Sequence, residues 1–495
     1  MQIRFDTSSV ADYKKFLTAK TLPGFRLTGT VATIPDRYAH LLGGKPSSGV
    51  GSEYSPDPFM FDYQGAITRM AIRRQKFSVF AACGLGKALI ALGYAKHVNE
   101  LLGRKKRVLI FTPPMVVGQM IAEAAKFYGD DMPVERVTAA NLQQWLDSEG
   151  DAVGICNYEA LKKDTRPGNL GALVLDESSI LKSAGATYAS ICIRLGQGLD
   201  WKLCLTGTPA PNDRIEYANH SVFMDRYPTV NSFLASFFVN RGQTQNRWEL
   251  KPHALKPFYR SLSDWCIFLS DPGIYGWKDN AGTLPPIHTH IHHVDLTKQQ
   301  WDWVHSHLGA LVPTRAGGIQ TRGSYGQVAK GHWNGQDFET NKPEFMADLI
   351  KQWPEESTLV WCIYDQEQKL AHAALGGESL SGSDSIARRE SVVGRFISGE
   401  SKVLTSKAKI LGFGLNLQIA TRQVFSGVQD SYENYHQCVK RSNRVGSVKP
   451  LNVHIPVTEL ELPMLENVLE KADRVESDIR EQEEIFKSCA VGLEL

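Results

Sequence analysis

The sequence predicts an α/β protein built on doubly wound parallel sheets, and two observations carry this prediction. Short apolar stretches alternate with longer stretches of helical periodicity over residues 56–225, and the same alternation returns after residue 340. Strands that alternate with helices pair in parallel, because each crossover helix returns the chain to the same end of the sheet. The predicted strands are 78–82, 107–112, 152–155, 172–176 and 202–205 in the first stretch, and 358–363, 402–405, 423–427 and 452–457 in the second.

Chain length and local composition divide the chain into five predicted segments. At 495 residues it is too long for one compact core and suits two or three domains. We expect two α/β lobes with a helical and loop-rich insertion between them. The predicted boundaries are 1–55 for an N-terminal accessory segment, 56–225 for the first lobe, 226–340 for the insertion, 341–460 for the second lobe and 461–495 for a C-terminal amphipathic helix.

Three of these segments carry more detailed expectations. Residues 11–17, AlaAspTyrLysLysPheLeu, predict a short helix in the accessory segment. Aromatic residues are frequent over 233–277, where they can stack on nucleic-acid bases but are more typical of a core. The apolar spacing over 462–486 predicts an amphipathic helix, and we expect it to dock on the second lobe rather than on a partner.

A histidine-rich stretch, HisThrHisIleHisHis at 288–293, allows two interpretations. In a strand, His288, His290 and His292 would share one face, and three imidazoles can bind Zn²⁺. No acidic residues that would support a metal are evident nearby, and the stretch follows LeuProPro in a polar connection. A strand with exposed histidines is therefore the favoured interpretation.

Charge and cysteine content limit the classes of function. The net charge is only +2, so any nucleic-acid binding must use local clusters rather than a basic surface. The eight cysteines are scattered without a CxxC pair, which favours reduced thiols in the cytoplasm and argues against a zinc site. No apolar run approaches the roughly 20 residues of a membrane helix, so we expect a soluble cytoplasmic protein. The basic clusters are Arg69 to Lys76, Arg104 to Arg107, and Lys402 to Lys409.

A glycine-rich turn is the first candidate for chemistry. Residues 83–88, CysGlyLeuGlyLysAla, follow the apolar run 78–82 and precede a helical stretch. Backbone N–H groups and the helix N-terminus of such a turn can wrap a polyphosphate, while Lys87 reaches its β/γ end. Taken alone, an ordinary strand–turn–helix corner fits equally well. The predicted nucleotide contacts here are Cys83, Gly84, Leu85, Gly86, Lys87 and Ala88.

An acidic strand end is the second candidate. The run LeuValLeuAspGluSerSer at 173–179 predicts a buried parallel strand that ends in Asp176 and Glu177. Ligands of open α/β sheets bind at the carboxyl ends of strands. We therefore expect Asp176 to hold Mg²⁺ and Glu177 to orient and deprotonate the attacking water. The alternative is a solvated acidic loop.

The third candidate is a polar set near the end of the second lobe. Gln437, Arg441 and Arg444 are spaced by four and three residues, which predicts that they share one helix face. Such a set can be plain solvated surface. It can equally neutralise charge on a transferring phosphoryl group, for which the planar and always charged guanidinium is suited.

The order of these segments resembles a known family. Between the acidic strand end and the arginines lie LeuThrGlyThrPro at 205–209 and GlyPheGlyLeuAsn at 412–416. In this order the segments resemble superfamily-two helicases, specifically the Swi/Snf-type DNA-dependent ATPases, and most closely the short versions that bacteriophages and prophages encode. Further segments match motifs of that family, namely Phe61 with Gln64, ThrProProMet at 112–115, AsnTyrGluAlaLeu at 157–161, GlySerAspSer at 382–385 and SerLysAlaLysIleLeuGlyPheGlyLeuAsn at 406–416.

The resemblance implies a fold, cofactors and a partner. It implies two RecA-like lobes with ATP and Mg²⁺ in the cleft, and closure that ratchets the protein along duplex DNA with little sequence preference. Translocation is favoured over strand separation, because no separating wedge is evident. The implied catalytic residues are Lys87, Asp176 and Glu177 of the first lobe with Gln437, Arg441 and Arg444 of the second, and the further nucleotide contacts are Phe61, Gln64 and Gly414.

Two positions depart from the family pattern. The family usually has an acidic residue where this chain has Ala82, and Thr or Ser where it has Ala88. The missing hydroxyl normally ligates Mg²⁺, although water can fill one of about six octahedral positions. Hydrolysis depends on metal placement and is more at risk than binding. The two alanines therefore leave open a DNA clamp that does not hydrolyse ATP as an alternative to the translocating ATPase. A true unwinding helicase is a second alternative.

Overall fold

A computed structural model describes residues 1–22, 24–43, 54–182, 187–210, 213–242, 248–278, 284–308, 319–411, 416–427, 432–444 and 447–489. The chain divides into two compact units, which we call the first and second unit. The first unit contains Met1–Asn280 and Ile479–Leu495, and the second contains Ala281–Asp478. Each unit is built on one large parallel sheet.

The N-terminal residues of the first unit form a small module with its own apolar core. The predicted short helix is confirmed as α1, and the Ser9 side chain caps it by accepting from the backbone N–H of Asp12. Three antiparallel strands lie in the order β1-β3-β2, and their core includes Phe5, Leu22 and Ile34. The elements are β1 (Gln2–Arg4), α1 (Val10–Lys20), β2 (Arg26–Thr28) and β3 (Val31–Thr33).

The main sheet of the first unit has seven parallel strands in the order β12-β4-β9-β8-β5-β7-β6. The five predicted strands are confirmed as β4, β5, β7, β8 and β9. The elements are α2 (Asp62–Arg74), β4 (Lys76–Ala81), α3 (Lys87–Leu101), β5 (Arg107–Thr112), α4 (Val117–Phe127), β6 (Val134–Arg136), α5 (Leu142–Asp147), β7 (Val153–Asn157), β8 (Leu170–Asp176), α6 (Thr187–Leu195), β9 (Trp201–Thr206), α7 (Tyr217–Phe223), α8 (Val230–Phe237), β10 (Phe238–Asn240), β11 (Trp248–Leu250), α9 (Leu255–Ser263) and β12 (Cys266–Leu269).

The central strands of this sheet are apolar without alternation because both faces are covered. Every residue of β5, β8 and β9 is buried. Helix α3 packs against all three strands, and α2 packs against β4. A strand that is buried on both faces reads as a continuous apolar run in the sequence. This explains why the run before Asp176 predicts its strand correctly.

The aromatic region after α7 contributes to the core of the first unit. Its rings pack edge to face around Phe258, which is fully buried. The core interpretation is therefore confirmed for most of these residues, whereas Trp248 and Trp277 are partly exposed. The buried members are Phe233, Phe237, Phe238, Phe258, Tyr259, Trp265 and Phe268.

Strand β12 is an element that the sequence pattern does not predict. It has four residues, all buried, and it pairs in parallel with β4 at the edge of the sheet. Apolar runs of this length do not distinguish a strand from a buried helical turn by periodicity. Only the pairing of Leu269 with Ala81 identifies the run as part of the sheet.

The second unit has a six-stranded parallel sheet in the order β13-β20-β19-β16-β18-β17. The four predicted strands of this lobe are confirmed as β16, β18, β19 and β20. The elements are β13 (Ile287–His293), α10 (Lys298–Leu308), α11 (Ile319–Ala329), β14 (His332–Trp333), β15 (Gln336–Asp337), α12 (Lys342–Ile350), β16 (Ser357–Cys362), α13 (Asp365–Leu375), β17 (Glu378–Leu380), α14 (Ile386–Ile397), β18 (Val403–Lys407), α15 (Ala408–Leu411), β19 (Ala420–Phe425), α16 (Tyr432–Ser442), β20 (Leu451–Val457) and α17 (Leu462–Cys489).

Helix α17 confirms the predicted amphipathic helix. Met464, Leu465 and Val468 of its first turns are buried, and its residues from Ile479 onward belong to the first unit. Across the described residues, no helix combines the length and apolar character that a membrane span requires.

A buried ion cluster precedes α17. The Glu461 carboxylate is fully buried and pairs with the ammonium groups of both Lys330 and Lys342, which are also buried. Lys342 donates further to the carbonyl oxygen of Pro456 at 3.0 Å, and burial lowers the pKa of its ammonium group to about 8. Removal of one partner from such a cluster leaves an uncompensated buried charge. Glu461 therefore ties the start of α17 to the second unit.

The histidine-rich stretch forms the edge strand β13, and most of its side chains are exposed, so the favoured interpretation is confirmed. The Arg422 guanidinium donates to Nε2 of His454 on β20 at 3.2 Å. Because this nitrogen accepts, the neutral ring carries its proton on Nδ1, which donates to Nε2 of His292 at 3.1 Å. Within the part of the chain that the structure describes, no group of three or more His, Cys, Asp or Glu side chains is arranged to hold a metal ion.

His454 makes the second unit sensitive to acid. Burial, followed by the charges of His290, His292 and Arg422, lowers the pKa of His454 to about 4. Because the folded chain favours the neutral ring, its stabilising contribution is present above pH 6.5 and declines as the pH falls toward 4. The free energy of unfolding should fall between pH 7 and pH 5 in the wild type. We expect this fall to be smaller by about 1 kcal/mol in His454→Gln, whose side chain cannot be protonated, as measured by urea denaturation. The exposed His305→Gln is the control, and equal pH dependence in all three proteins would contradict this prediction.

Candidate functional site

The glycine-rich turn connects β4 to the first turn of α3. Gly84 and Gly86 have φ angles of 93° and 68°, a left-handed conformation that favours glycine. A Cβ atom on Gly86 would lie 2.2 Å from Nε2 of Gln64. Helix α3 begins at Lys87, directly after Gly86. The predicted strand, turn and helix start are thus confirmed, and we call residues 82–88 the phosphate loop.

Lys87 is bonded to the beginning of this loop. Its ammonium group donates to the carbonyl oxygen of Ala81 at 3.0 Å and to that of Ala82 at 3.4 Å. Ala88 follows in the first turn of α3 and is partly exposed, with only a methyl group to present. The loop therefore offers a cation and a helix N-terminus, without the hydroxyl that the family pattern has at position 88.

Gln64 lies against the phosphate loop although it is 21 residues before Leu85, the loop residue that it contacts. Its Oε1 accepts from the backbone N–H of Phe61 at 3.0 Å, and its Nε2 donates to the carbonyl oxygen of Leu85 at 3.3 Å. The Tyr63 hydroxyl donates to the same carbonyl at 3.1 Å. The Phe61 ring is 38% exposed, so it presents a free apolar surface beside the loop. Tyr63 is a contact that the motif match does not reveal.

Asp176 ends strand β8 beside the phosphate loop. Its Oδ2 accepts from Thr112 Oγ1, at the end of β5, over 2.8 Å. Burial and the adjacent charge of Glu177 raise the pKa of Asp176 to about 6, while the Thr112 hydroxyl and the charge of Lys87 act in the opposite direction. Lys87 follows β4 and Asp176 ends β8, and these parallel strands flank β9, so the cation and the buried acid lie at the same edge of the sheet.

Glu177 and Ser178 form a turn that is tightly held. Glu177 has φ of 50°, an unusual conformation for a residue with a side chain, and such strain clusters at functional sites. Its Oε2 accepts from Thr206 Oγ1, at the end of β9, over 3.4 Å. The buried Ser178 Oγ lies 3.2 Å from Nε2 of His220, and burial lowers the pKa of His220 to about 4, which keeps the ring neutral.

The turn ThrGlyThrPro also lies against the phosphate loop. A Cβ atom on Gly207 would lie 3.3 Å from the carbonyl oxygen of Ala81 and 3.4 Å from Sγ of Cys83. Thr206 Oγ1 accepts from the backbone N–H of Thr208 at 3.1 Å. Thr206 therefore contacts both this turn and, through its hydroxyl, the Glu177 carboxylate.

Four side chains around the acidic strand end are absent from the catalytic and nucleotide-contact residues that the sequence predicts. Two of them, Thr112 and Tyr158, lie in the segments 112–115 and 157–161 that match family motifs. The Tyr158 hydroxyl donates to the carbonyl oxygen of Asp176 at 2.7 Å. Strand order was the missing signal for Thr112 and Thr206, because β5 and β9 flank β8. No motif indicates His220. The four are Thr112, Tyr158, Thr206 and His220.

The second unit places two of its three predicted residues on one helix. Gln437 and Arg441 lie on α16 and both are buried. The prediction that Arg444 shares their helix face is wrong, because α16 ends at Ser442. The Ser447 hydroxyl accepts from the backbone N–H of Arg444 at 3.1 Å, in place of the helical hydrogen bond. Gly414 lies outside the described residues.

Comparison with protein families identifies both halves of the chain. Residues 80–325 match the SNF2-related domain, and residues 341–446 match the helicase conserved C-terminal domain. The chain belongs to the SNF2 type of superfamily-two helicases. Both of its units have the RecA-like α/β architecture that this assignment predicts.

A solved structure and the curated proteins complete the comparison. The Sulfolobus solfataricus SWI2/SNF2 ATPase core in complex with dsDNA is 16% identical, with a TM-score of 0.39, and the alignment covers 82% of this chain and 89% of that chain. Comparison with curated proteins gives no match.

The close approach of Gly86 and Gln64 provides a test of the loop. An alanine in the left-handed backbone conformation costs roughly 1–2 kcal/mol of stability. We expect Gly86→Ala to cost more than this, because the added Cβ also displaces the Gln64 side chain. Gly103→Ala is the matched control, since Gly103 has a φ of 66° with no atom within 4 Å of the added Cβ. Urea denaturation measures both. The excess cost of Gly86→Ala disappears in a Gln64→Ala background, and an excess that persists there would contradict the contact.

Proposed function

We propose that the protein is a DNA-dependent ATPase that translocates on duplex DNA. One observation carries the proposal: Lys87, which follows β4, lies at the same edge of the first sheet as the buried Asp176 and the partly exposed Glu177 at the end of β8, in a chain with both SNF2-type domains. A cation on a glycine-rich loop beside a buried carboxylate is the arrangement that phosphoryl transfer requires. The closeness to phage-encoded proteins and the cytoplasmic location rest on the sequence alone.

The residues present fit a magnesium nucleotide. The left-handed Gly84 and Gly86 turn the chain from β4 into α3, and the start of α3 supplies backbone N–H groups suited to phosphate. Lys87 would bind the phosphates, Asp176 would hold Mg²⁺, and Phe61 with Gln64 would hold the adenine. When bound, ATP supplies the phosphoryl group and Mg²⁺ neutralises the charge that develops on it.

Glu177 is assigned to the water that attacks the phosphoryl group. Its carboxylate is partly exposed and is oriented by the Thr206 hydroxyl and by the left-handed turn of its own backbone. Within this arrangement Glu177 would accept the proton of the water at a carboxylate oxygen. His220 contacts Ser178, the next residue of the turn, and so supports the backbone conformation of Glu177.

The assignments in the second unit rest on the resemblance. Gln437, Arg441 and Arg444 would contribute to phosphoryl transfer, with the guanidinium groups neutralising charge in the transition state. Gly414 would contact the nucleotide. DNA would be bound mainly through its phosphates, which accounts for the expected lack of sequence preference.

Phosphate release with and without duplex DNA tests the proposed function. We expect DNA to stimulate release, Lys87→Ala to abolish it, and Glu177→Gln to reduce turnover by about 10²–10⁴-fold, the range for loss of a general base. Lys96→Ala is the control, because Lys96 lies on the same helix and pairs with Glu100 at the surface. Unchanged turnover in the Lys87 or Glu177 variant would contradict the site. ATP binding without hydrolysis in the wild type would instead favour a clamp.

Position 88 tests how the missing hydroxyl limits the rate. We expect Ala88→Thr to raise Mg²⁺-dependent turnover and to lower the Mg²⁺ concentration required, because the added hydroxyl supplies an oxygen ligand at the start of α3. Ala88→Val is the matched control, with nearly the same shape and no hydroxyl. Steady-state phosphate release over a Mg²⁺ titration measures the difference. Identical behaviour of the Thr and Val variants would show that position 88 does not limit the reaction.

A further inference from the structure

The end of α17 is anchored to the first unit by a buried carboxyl group. Glu483 is 1% exposed, and both of its oxygens accept from the backbone N–H of Ser270 at 3.1 Å. The Ser270 hydroxyl donates to the same carboxyl group. One turn further along, the buried Phe486 ring packs edge to face on Phe268 with centroids 5.0 Å apart. Lys487 donates to the carbonyl oxygen of Ile274.

These contacts lie at the end of the strand that borders the phosphate loop. Ser270 directly follows β12, whose last residue, Leu269, is paired with Ala81 of β4. The carbonyl oxygen of Leu269 accepts from the backbone N–H of Ala82 at 2.8 Å, and Lys87 donates to the carbonyl oxygen of Ala82 at 3.4 Å. A short series of contacts thus connects Glu483 with Lys87.

Strand β12 depends on such an anchor because of its place in the sheet. It has four residues and forms the sheet edge, where strand ends open most easily. If its carboxyl end opens, Ala82 loses the hydrogen bond that holds the start of the phosphate loop. The contact of Glu483 with Ser270 stabilises that end from outside the sheet.

We propose that Glu483 is a positioning residue for the nucleotide site: by holding Ser270 at the end of β12, it fixes Leu269 and hence the phosphate loop at Ala82. This inference rests on the proposed function for the nucleotide itself. It assigns to the end of α17 a role in loop order that no motif of the sequence indicates.

The charge state of Glu483 makes this coupling dependent on pH. Burial, with a smaller effect from the charge of Asp271, raises the pKa of Glu483 to about 7 against the opposing effects of the Ser270 hydrogen bonds and the charge of Lys487. The Tyr275 side chain also faces this group. The folded chain favours the protonated form of Glu483. The contact of Glu483 with Ser270 therefore contributes its full stabilisation below about pH 4.5, and this stabilisation declines as the pH rises through about 7. Loop order should therefore weaken from pH 6 to pH 8.

The test compares Glu483→Ala and Glu483→Gln in the full chain. We expect Glu483→Ala to raise the KM for ATP and the Kd for MgADP about tenfold, with a smaller change in kcat, because loop order affects binding first. Glu483→Gln keeps an acceptor for the Ser270 N–H, so we expect wild-type affinity at pH 6 with no weakening up to pH 8. Glu484→Ala is the matched control, since Glu484 is exposed on the same helix.

Hydrogen exchange separates failure of this inference from failure of the proposed function. Amide exchange over residues 78–88 requires no nucleotide, and we expect Glu483→Ala to accelerate it while Glu484→Ala leaves it unchanged. Normal exchange and normal nucleotide affinity in Glu483→Ala would overturn the positioning role, as would a Glu483→Gln variant that retains the wild-type pH dependence. If the wild type binds no nucleotide, accelerated exchange still supports the anchor, whereas the ATPase proposal fails.

Discussion

Parallel pairing of β8 between β5 and β9 is the constraint on which the site depends. Phe111 of β5 is level with Leu175 of β8, so the next residue of each strand, Thr112 and Asp176, meet across the sheet at 2.8 Å. On the other side, Asp176 is level with Leu205, which brings Thr206 to Glu177. A shift of one residue in either register would turn these side chains to the opposite face and remove the site.

The acidic strand end combines a buried carboxyl group with an unfavourable backbone conformation, and neighbouring side chains stabilise both. Burial of Asp176 disfavours its charged form, and Glu177 occupies a left-handed backbone conformation. Hydrogen bonds from Thr112 and Tyr158 and the contact of Ser178 with the neutral His220 hold this turn in place. Departures from local rules that the surrounding structure supports are typical of functional sites.

Two buried glutamates, one just before α17 and one near its end, hold this helix through different interactions. Glu461, just before the helix, is buried between Lys330 and Lys342 in the second unit, so its negative charge is compensated. Glu483, in the part that belongs to the first unit, has hydrogen bonds from Ser270 but a raised pKa. The first contact is therefore stable near neutral pH, whereas the second changes its charge there.

The sequence by itself determined the elements whose signals are local. Buried strands appear as apolar runs, the phosphate loop as glycines before Lys87, and α17 as a spacing of apolar residues, and all of these are present. Only the tertiary structure decided which side chains meet. Thr112 reaches Asp176 across 64 residues and Ser270 reaches Glu483 across 213, and such pairs depend on strand order and register, which no local pattern encodes. Strand β12 is too short to show a period, and the bond of Ser447 to Arg444 ends α16 before that arginine.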